Sequence, residues 1–526
     1  MIRFFFLSVL ILITWATVVL HRGVFPSPST SIHPNSVDKA LWIPKETIGI
    51  NQLFLFGAPQ DRGYQAGKIT KQLLNRQERE LAAIMDNFIP SRILQRGLYI
   101  LLMRWFWGIE TFFEPEFVDE MWGISQFTTN ELNYIADPLT RQVGYLGIHE
   151  VGQMFVDMHL VDMGCTLLAA PKRGQSNSWI IGRNFDFEAG RIFDEEKIMK
   201  WVFPDQGSSY LSVIWAGMVG GVTGVNEHGV YLSINAAGSK DFSRYGTPST
   251  LVLIKALQYA RTAEEAIEII KTSQLFITDI FVVVDKLSPL YRIEKSPLKT
   301  RIIPHVDATI ISNHLIHADF KDDPVNRFRK TELTSVQREK RGIELLHRHP
   351  NPTPAEMLTM LRDKQTASDS PILLGNRATI DSLIATHSVI YDTEKQTFYV
   401  SKGPSLVGES LGFDLKRSFA LKHPVLINSL PSDPTISVTR YFEINSSLKQ
   451  LETALALLRK GKCLSAKALI SQSTSANNHY LYHLAQGNLY ECTGDLVSAK
   501  LSWQRATSLN PSYSKHMVYL KGKLNL

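Results

Sequence analysis

Cysteine is scarce in this chain: its 526 residues hold only Cys165, Cys463 and Cys492. So small a set excludes a disulfide-framework fold and a four-thiolate zinc site. Charge is modest as well. Charged residues make up 20% and the net charge is +6, so the chain lacks the basic field that nucleic-acid binding needs. An apolar fraction of 44% excludes a disordered, collagen-like or coiled-coil chain. Metal-spaced ligands are missing too. His314, His317 and His387 read as structural or rim residues, and Asp319, Asp322 and Asp323 as a solvated loop. Neither a cofactor nor a metal is expected.

A long apolar run lies at the N-terminus. Phe4 to Leu20 stands between Met1-Ile-Arg and His21-Arg22. Residues 1–22 therefore read as a signal peptide or a signal-anchor helix. The flank has no clear small-x-small cleavage site, which favours an anchor that stays attached. The expected location is exported: membrane-anchored, periplasmic or lumenal. Residues 23–50, with Pro26, Pro28 and Pro34 among serines, read as a linker. Residues 51–164 are mostly helical in pattern, clearest from Tyr64 to Phe88. Ile93 to Phe113 is rich in aromatics and reads as a buried helix in preference to one that touches a membrane.

The texture changes at Gly164-Cys165. Short strands are predicted over Cys165–Ala170, Ser178–Gly182, Tyr210–Trp215, Val219–Val225 and Val230–Ile234. Two helices follow over Ser249–Ala260 and Ala263–Lys271, the second capped by Thr262 with Glu265 three residues on. Strands resume over Phe276–Val284, Leu290–Glu294 and Thr309–Ser312. A late hairpin joins Ser388–Tyr391 to Thr397–Val400. Strand clusters split by a helix pair predict an α+β domain, sheets covered by helices, over residues 165–440.

Residues 441–526 form a helical segment of another kind. Gly487, Tyr490, Gly494, Ala499, Trp503, Ala506 and Pro511 have spacings that resemble one tetratricopeptide repeat, and residues 460–467 echo 493–500. The expectation is a helical cap on the catalytic domain. A groove for a protein partner is the functional alternative.

Chemistry concentrates around Cys165. A lone cysteine is usually a small core residue. Here Gly182-Arg183-Asn184-Phe185-Asp186-Phe187 returns one hairpin later, and charges in so apolar a strand need partners. A guanidinium beside Cys165 would favour its thiolate. Arg183 and Asp186 are three apart, so a regular strand would point them to opposite faces; a strand end or bulge near Asn184 is expected to reunite them.

Asp162-Met-Gly-Cys-Thr followed by Gly-Arg-Asn-Phe-Asp-Phe resembles the N-terminal-nucleophile cysteine hydrolases, which include choloylglycine hydrolases, acid ceramidase and acyl-coenzyme A:6-aminopenicillanic acid acyltransferase. Met121-Trp-Gly-Ile-Ser, the Gly224–Asn235 hairpin, Ser312-Asn-His, Asn326-Arg-Phe and Thr386-His-Ser-Val extend the resemblance from about Gly57 to about Gly403. It implies a four-layer αββα fold with a helical prosegment. It also implies self-cleavage between Gly164 and Cys165, and amide hydrolysis or acyl transfer on a small N-acyl substrate. By the same resemblance Cys165 is the nucleophile, Arg183 sits against its sulfur and Asp186 orients its α-amine. Asn235 and Asn313 form the oxyanion hole, and Arg327 anchors the site with Arg329 as its rival. Two other functions stay open: a thiol hydrolase that does not cut itself and uses His387 or His314 as base, and a membrane-tethered interaction protein with an inert hydrolase-like domain.

Overall fold

The computed structural model describes residues 39–105, 108–147, 163–172, 178–188 and 190–525. The 1–22 segment and the start of the linker lie outside them. Among the described residues no helix is long and apolar enough to cross a membrane.

Two sheets face each other. The nine-stranded sheet runs from Leu41–Ile43 through Asn51–Gly57, Ile198–Pro204, Tyr210–Ile214, Thr223–Asn226, Tyr231–Ala236, Asp279–Val284 and Leu290–Lys295 to Thr300–His305. The seven-stranded sheet runs from Thr309–Ile311 through Met163–Pro171, Trp179–Phe187, Ala385–Asp392, Thr397–Ser401 and Ser410–Asp414 to Leu426–Leu430. Their inner faces meet in one apolar core, with Phe54, Trp201, Leu211 and Val282 from the first sheet against Leu167, Ile181, Val389 and Phe398 from the second. Both sheets are covered outside as well, so the central strands are buried on both faces and read as near-continuous apolar runs.

Helices form the two outer layers. Ser249–Tyr259 and Ala263–Thr272 cover the nine-stranded sheet. Thr262 caps the latter by accepting from the Glu265 amide, as its sequence predicts. Ser335–Arg348 and Pro354–Leu361 cover the seven-stranded sheet, packing Leu345, Met357 and Leu361 on Leu168, Ala170 and Ile180. The domain is thus four-layered αββα, and the α+β class follows directly from the packing.

The segment before Gly164 is more than helical. Asn51–Gly57 pairs in parallel with Ile198–Pro204 along its full length, so this segment supplies strands to the nine-stranded sheet. Its helices Pro59–Phe88 and Pro115–Ser125 then join the helical layer over that sheet. They cross closely because a side chain is missing at the contact: a Cβ at Gly63 would stand 2.0 Å from the Glu120 carbonyl oxygen. The Arg92–Trp105 helix departs from expectation. It is not buried; Ile93 is 84% exposed and Leu101 67%.

The C-terminal helices Val438–Arg459, Cys463–Gln472, Tyr480–Cys492, Leu496–Ser508 and Ser514–Leu524 pack on one another and on Leu383 and Val407 of the layered domain. A disulfide joins Cys463 to Cys492 across 6.1 Å between Cα atoms. Nothing in the local sequence announces this bond, because the two cysteines lie 29 residues apart and meet only when the helices pair.

A buried charge cluster locks the early segment to the sheet. Arg62 bonds Glu120 at 3.1 Å, and Lys200 approaches the other Glu120 oxygen at 3.6 Å, with all three side chains almost fully buried. Glu120→Ala leaves two cations without their carboxylate. It should lower the unfolding free energy by about 3–5 kcal/mol in urea titrations; a loss below about 1 kcal/mol would mean the cluster contributes no net cohesion.

Candidate active site

Strand alternation decides which groups meet. Met163–Pro171 and Trp179–Phe187 pair in unbroken register, with Cys165 opposite Phe185 and Gly164 opposite Asp186. The bulge expected near Asn184 is therefore absent. The register shift lies instead in the next strand, between Ala385 and His387. Cys165, Arg183 and Phe185 face the space between the sheets. Asn184 faces the outer helices, donating to the Leu361 and Ile380 carbonyls at 2.9 and 3.1 Å. Asp186 shares that outer face, accepting from Ser382 Oγ at 3.2 Å. Arg183 and Asp186 stand on opposite sides of the strand, as a period of two requires.

On the inner side Cys165 is fully buried. Arg183 Nη2 lies 3.6 Å from its sulfur. The same guanidinium donates to Asn235 Oδ1 at 3.2 Å, and to Thr223 Oγ1 and the Ile234 carbonyl. Burial pushes the Cys165 thiol up, and the charge of Arg183 pulls it part of the way back.

On the outer side Arg338 organises the backbone. Its Nη1 donates to the Cys165 carbonyl and the Thr166 hydroxyl, both at 2.7 Å, and its Nη2 to Asn313 Oδ1 at 2.8 Å. Asn313 Oδ1 also accepts the Cys165 N–H at 2.8 Å. A Cβ at Gly164 would come within 3.4 Å of Arg338 Nη2, so glycine gives this guanidinium its closest approach. The Asn235 and Asn313 amide groups donate to main-chain carbonyls, Asn235 Nδ2 to Ile311 O and Asn313 Nδ2 to Ala236 O, each at 2.9 Å.

The structure thus gathers Gly164, Cys165, Arg183, Asp186, Asn235 and Asn313. It does not bring in Arg327, which is exposed on the Pro324–Glu332 helix. Its rival Arg329 is the buried one and lines a cavity with Gly164, Asp186 and Arg338. Helical phase explains this, because residues two apart on a helix point in different directions. Arg338 was missed. It lies in the charged run Gln337-Arg-Glu-Lys-Arg, yet shares a buried stripe with Ser335, Gly342 and Leu345, and that phase was its one signal.

His387 is fully buried, with its ring stacked on Phe185. Its Nε2 lies 3.0 Å from Thr223 Oγ1 and 3.5 Å from Arg183 Nη1. Burial, aided by Arg183 and Lys197, holds it well below the usual imidazole range. His314 Nδ1 lies 2.6 Å from Ser335 Oγ, and its Nε2 3.3 Å from Glu339. Among the described residues no group of three potential ligands is placed to hold a metal ion.

An apolar cavity is walled by Phe185, Phe193, Trp215, Met218 and Val222, with Leu74, Gln77, Glu78 and Leu81 contributed by the segment before Gly164. Cys165 does not itself line the cavity; it belongs to the same buried cluster as Phe185, Phe193, Trp215 and Val222, which do.

Burial pushes the Asp186 carboxyl up to about 7 from an ordinary 3.8. Between those values the folded chain holds a proton that the unfolded chain has released. Stability should therefore fall as pH rises from about 4 to 7 and level off above. In an uncut Cys165→Ala background, Asp186→Asn should flatten that decline in urea titrations across pH. An unchanged slope would show that Asp186 ionises normally.

A search of curated proteins finds no match. Several solved structures are similar in part. An N-acylethanolamine-hydrolyzing acid amidase ortholog from Caenorhabditis elegans is 16% identical, over 43% of this chain and 92% of that one, with a TM-score of 0.31. Penicillin V acylase from Agrobacterium tumefaciens is 17% identical, over 48% and 86%, with a TM-score of 0.33. A mutant of the conjugated bile acid hydrolase from Clostridium perfringens is 12% identical, over 52% and 98%, with a TM-score of 0.32. Likenesses this distant say nothing about activity. The family match is more direct, though it spans less than half of the chain and begins just after Cys165. Over residues 172–404 this chain carries the sequence pattern of the family described as acyl-coenzyme A:6-aminopenicillanic acid acyl-transferase, within the N-terminal-nucleophile hydrolase group that its motifs resemble.

Proposed function

We propose that the chain is an amidohydrolase or acyltransferase that cuts itself between Gly164 and Cys165 and then works through a Cys165 thioester. The observation that carries this reading is the Cys165 environment: a guanidinium 3.6 Å from the sulfur, an Asn313 carboxamide on the backbone nitrogen, and a buried carboxyl beside Gly164.

In self-cleavage the sulfur attacks the Gly164 carbonyl carbon. The C–N bond to Cys165 breaks, the thiol proton passes to the nitrogen, and water hydrolyses the thioester. The freed α-amine has an ordinary pKa of about 8, so near neutral pH it acts as base toward its own thiol. Asn313 Oδ1 already holds that nitrogen, and Asp186 lies on the outer face where a new ammonium would emerge.

With an N-acyl substrate the thiolate forms a C–S bond at the amide carbonyl. The C–N bond then breaks, and the α-ammonium returns a proton to the leaving amine. Water, or a second amine, resolves the thioester and restores the thiol. Asn313 Nδ2 carries a second N–H beside the one given to the Ala236 carbonyl, and Asn235 Nδ2, whose contact with the Ser312 carbonyl is a long 3.4 Å, would turn that N–H from Ser312 to the oxyanion. The apolar cavity walled by Phe185, Trp215 and Val222, which share a buried cluster with Cys165, suits the acyl chain. Among the described residues neither His387 nor His314 hydrogen-bonds the Cys165 sulfur, whose polar neighbours are Arg183 Nη2 and the Ile234 carbonyl, which disfavours a histidine base.

Two further points extend the reading. The early segment stays with the enzyme after cleavage, because its Asn51–Gly57 strand is part of the sheet and its helix walls the acyl cavity. Export to an oxidising compartment, with the N-terminal run as signal or anchor, suits the Cys463–Cys492 bond.

Intact-mass analysis should show two fragments meeting at Cys165 that co-purify until denatured. Cys165→Ala should give one uncut chain with N-acyl amidase activity lowered about 10⁴-fold or more. A fully active, uncut wild type would remove the mechanism. In processed enzyme, Asn235→Ala should lower kcat about 10²–10³-fold with little change in KM; a change confined to KM would take Asn235 out of the oxyanion hole.

A further inference from the structure

One face of the Pro59–Phe88 helix looks into the apolar cavity. Leu74, Gln77, Glu78 and Leu81 all line it, at the three- and four-residue spacing of a single helical stripe. A stripe turned toward an apolar space is expected to be apolar, yet its two central positions are polar. Glu78 is accounted for within the fold. Its carboxylate accepts the Thr129 N–H at 3.1 Å and Arg141 Nε at 3.2 Å, and the Tyr145 hydroxyl donates to it as well. Trp215, on the opposite wall, spends its indole N–H on the Phe193 carbonyl at 2.6 Å.

Gln77 is not accounted for in that way. It is only 3% exposed, and neither its Oε1 nor its Nε2 has a hydrogen-bond partner. Among the described polar side chains that line the cavity, it alone keeps both its donors and its acceptor unspent. A primary amide left buried and unpaired works against stability. Leucine or methionine would fill the same helical position without that cost. A polar group that returns nothing to the fold, placed on the wall of a ligand cavity, points to a ligand group that completes it.

Resting on the amidase reading above, we propose that Gln77 is a specificity-determining residue of the acyl cavity, and that the preferred substrate is an amide whose linear acyl chain carries a hydroxyl away from the scissile carbonyl. A hydroxyl both donates and accepts, so it can bond either end of the carboxamide. A carboxylate in its place would be buried beside the Glu78 carboxylate. An unsubstituted chain fills the apolar walls but leaves Gln77 unpaired in a site from which the chain has excluded water. Gln77 belongs to the segment before Gly164. Self-cleavage therefore leaves the nucleophile on one fragment and the residue that reads the acyl group on the other.

The test assays the processed full-length enzyme on N-dodecanoylethanolamine and on the same amide with a hydroxyl at the third, sixth, ninth or twelfth acyl carbon. At the position that meets Gln77, kcat/KM should exceed that of the plain chain by about tenfold. Gln77→Leu should abolish the preference and raise kcat/KM for the plain chain, a crossover that loss of packing alone would not produce. Gln77→Met, which keeps the unbranched shape of glutamine, should do the same. A wild type indifferent to the hydroxyl at every position, or variants that slow all the substrates alike, overturns the proposal while leaving the amidase standing. A cleaved chain that hydrolyses none of the set overturns it too, and an uncut chain that hydrolyses none removes both readings.

Discussion

Arg183 is the tie on which the centre of the molecule depends. A guanidinium held between two sheets needs partners, because burial of an unpaired ion costs several kcal/mol. Its partners come from both sheets: Thr223, the Ile234 carbonyl and Asn235 on the nine-stranded side, and the Cys165 sulfur on its own. The hydrogen bonds that make its burial tolerable also set the spacing of the sheets where the proposed nucleophile sits. Phe185 completes the enclosure, with the Arg183 guanidinium 5.1 Å from its ring centre.

A second guanidinium does for the backbone what Arg183 does for the side chain. Arg338 binds the Cys165 carbonyl, Thr166 and Asn313, so the main chain on both sides of the Cys165 Cα is fixed from the outer face. Two arginines therefore grip one residue from opposite faces of a single strand. The strand's alternation makes this arrangement available, since neighbouring side chains point to opposite faces. It also separates Asp186 from Arg183, leaving the carboxyl in a protein environment that pushes it up instead of in an ion pair that would pull it down.

Much of this was legible beforehand. The apolar strands, the Thr262-capped helix and the late hairpin follow from periodicity and capping chemistry, which act over a few residues. Other elements were hidden by one residue each. Ile198–Pro204 carries Lys200, whose ammonium is accommodated only because Glu120 reaches it from a distant helix. Thr300–His305 contains Pro304, which an edge strand tolerates and a central one does not. The predicted Val219–Val225 strand shortens to Thr223–Asn226, because Gly220 and Gly221 are used to pass close by Thr250 and Ser212.

The candidate site divides along the same line. Sequence alone was enough to single out Cys165, Arg183 and Asp186, whose types are unusual for so apolar a strand, whereas Asn235 and Asn313 entered only through the resemblance of their motifs to a known family. It could not choose between Arg327 and Arg329, find Arg338, or pair Cys463 with Cys492. Those outcomes depend on helical phase against a partner surface and on contacts between residues far apart in the chain. Only tertiary packing decides such contacts, because the energy that selects them comes from burial and from satisfying buried charge, and neither exists until the layers have closed.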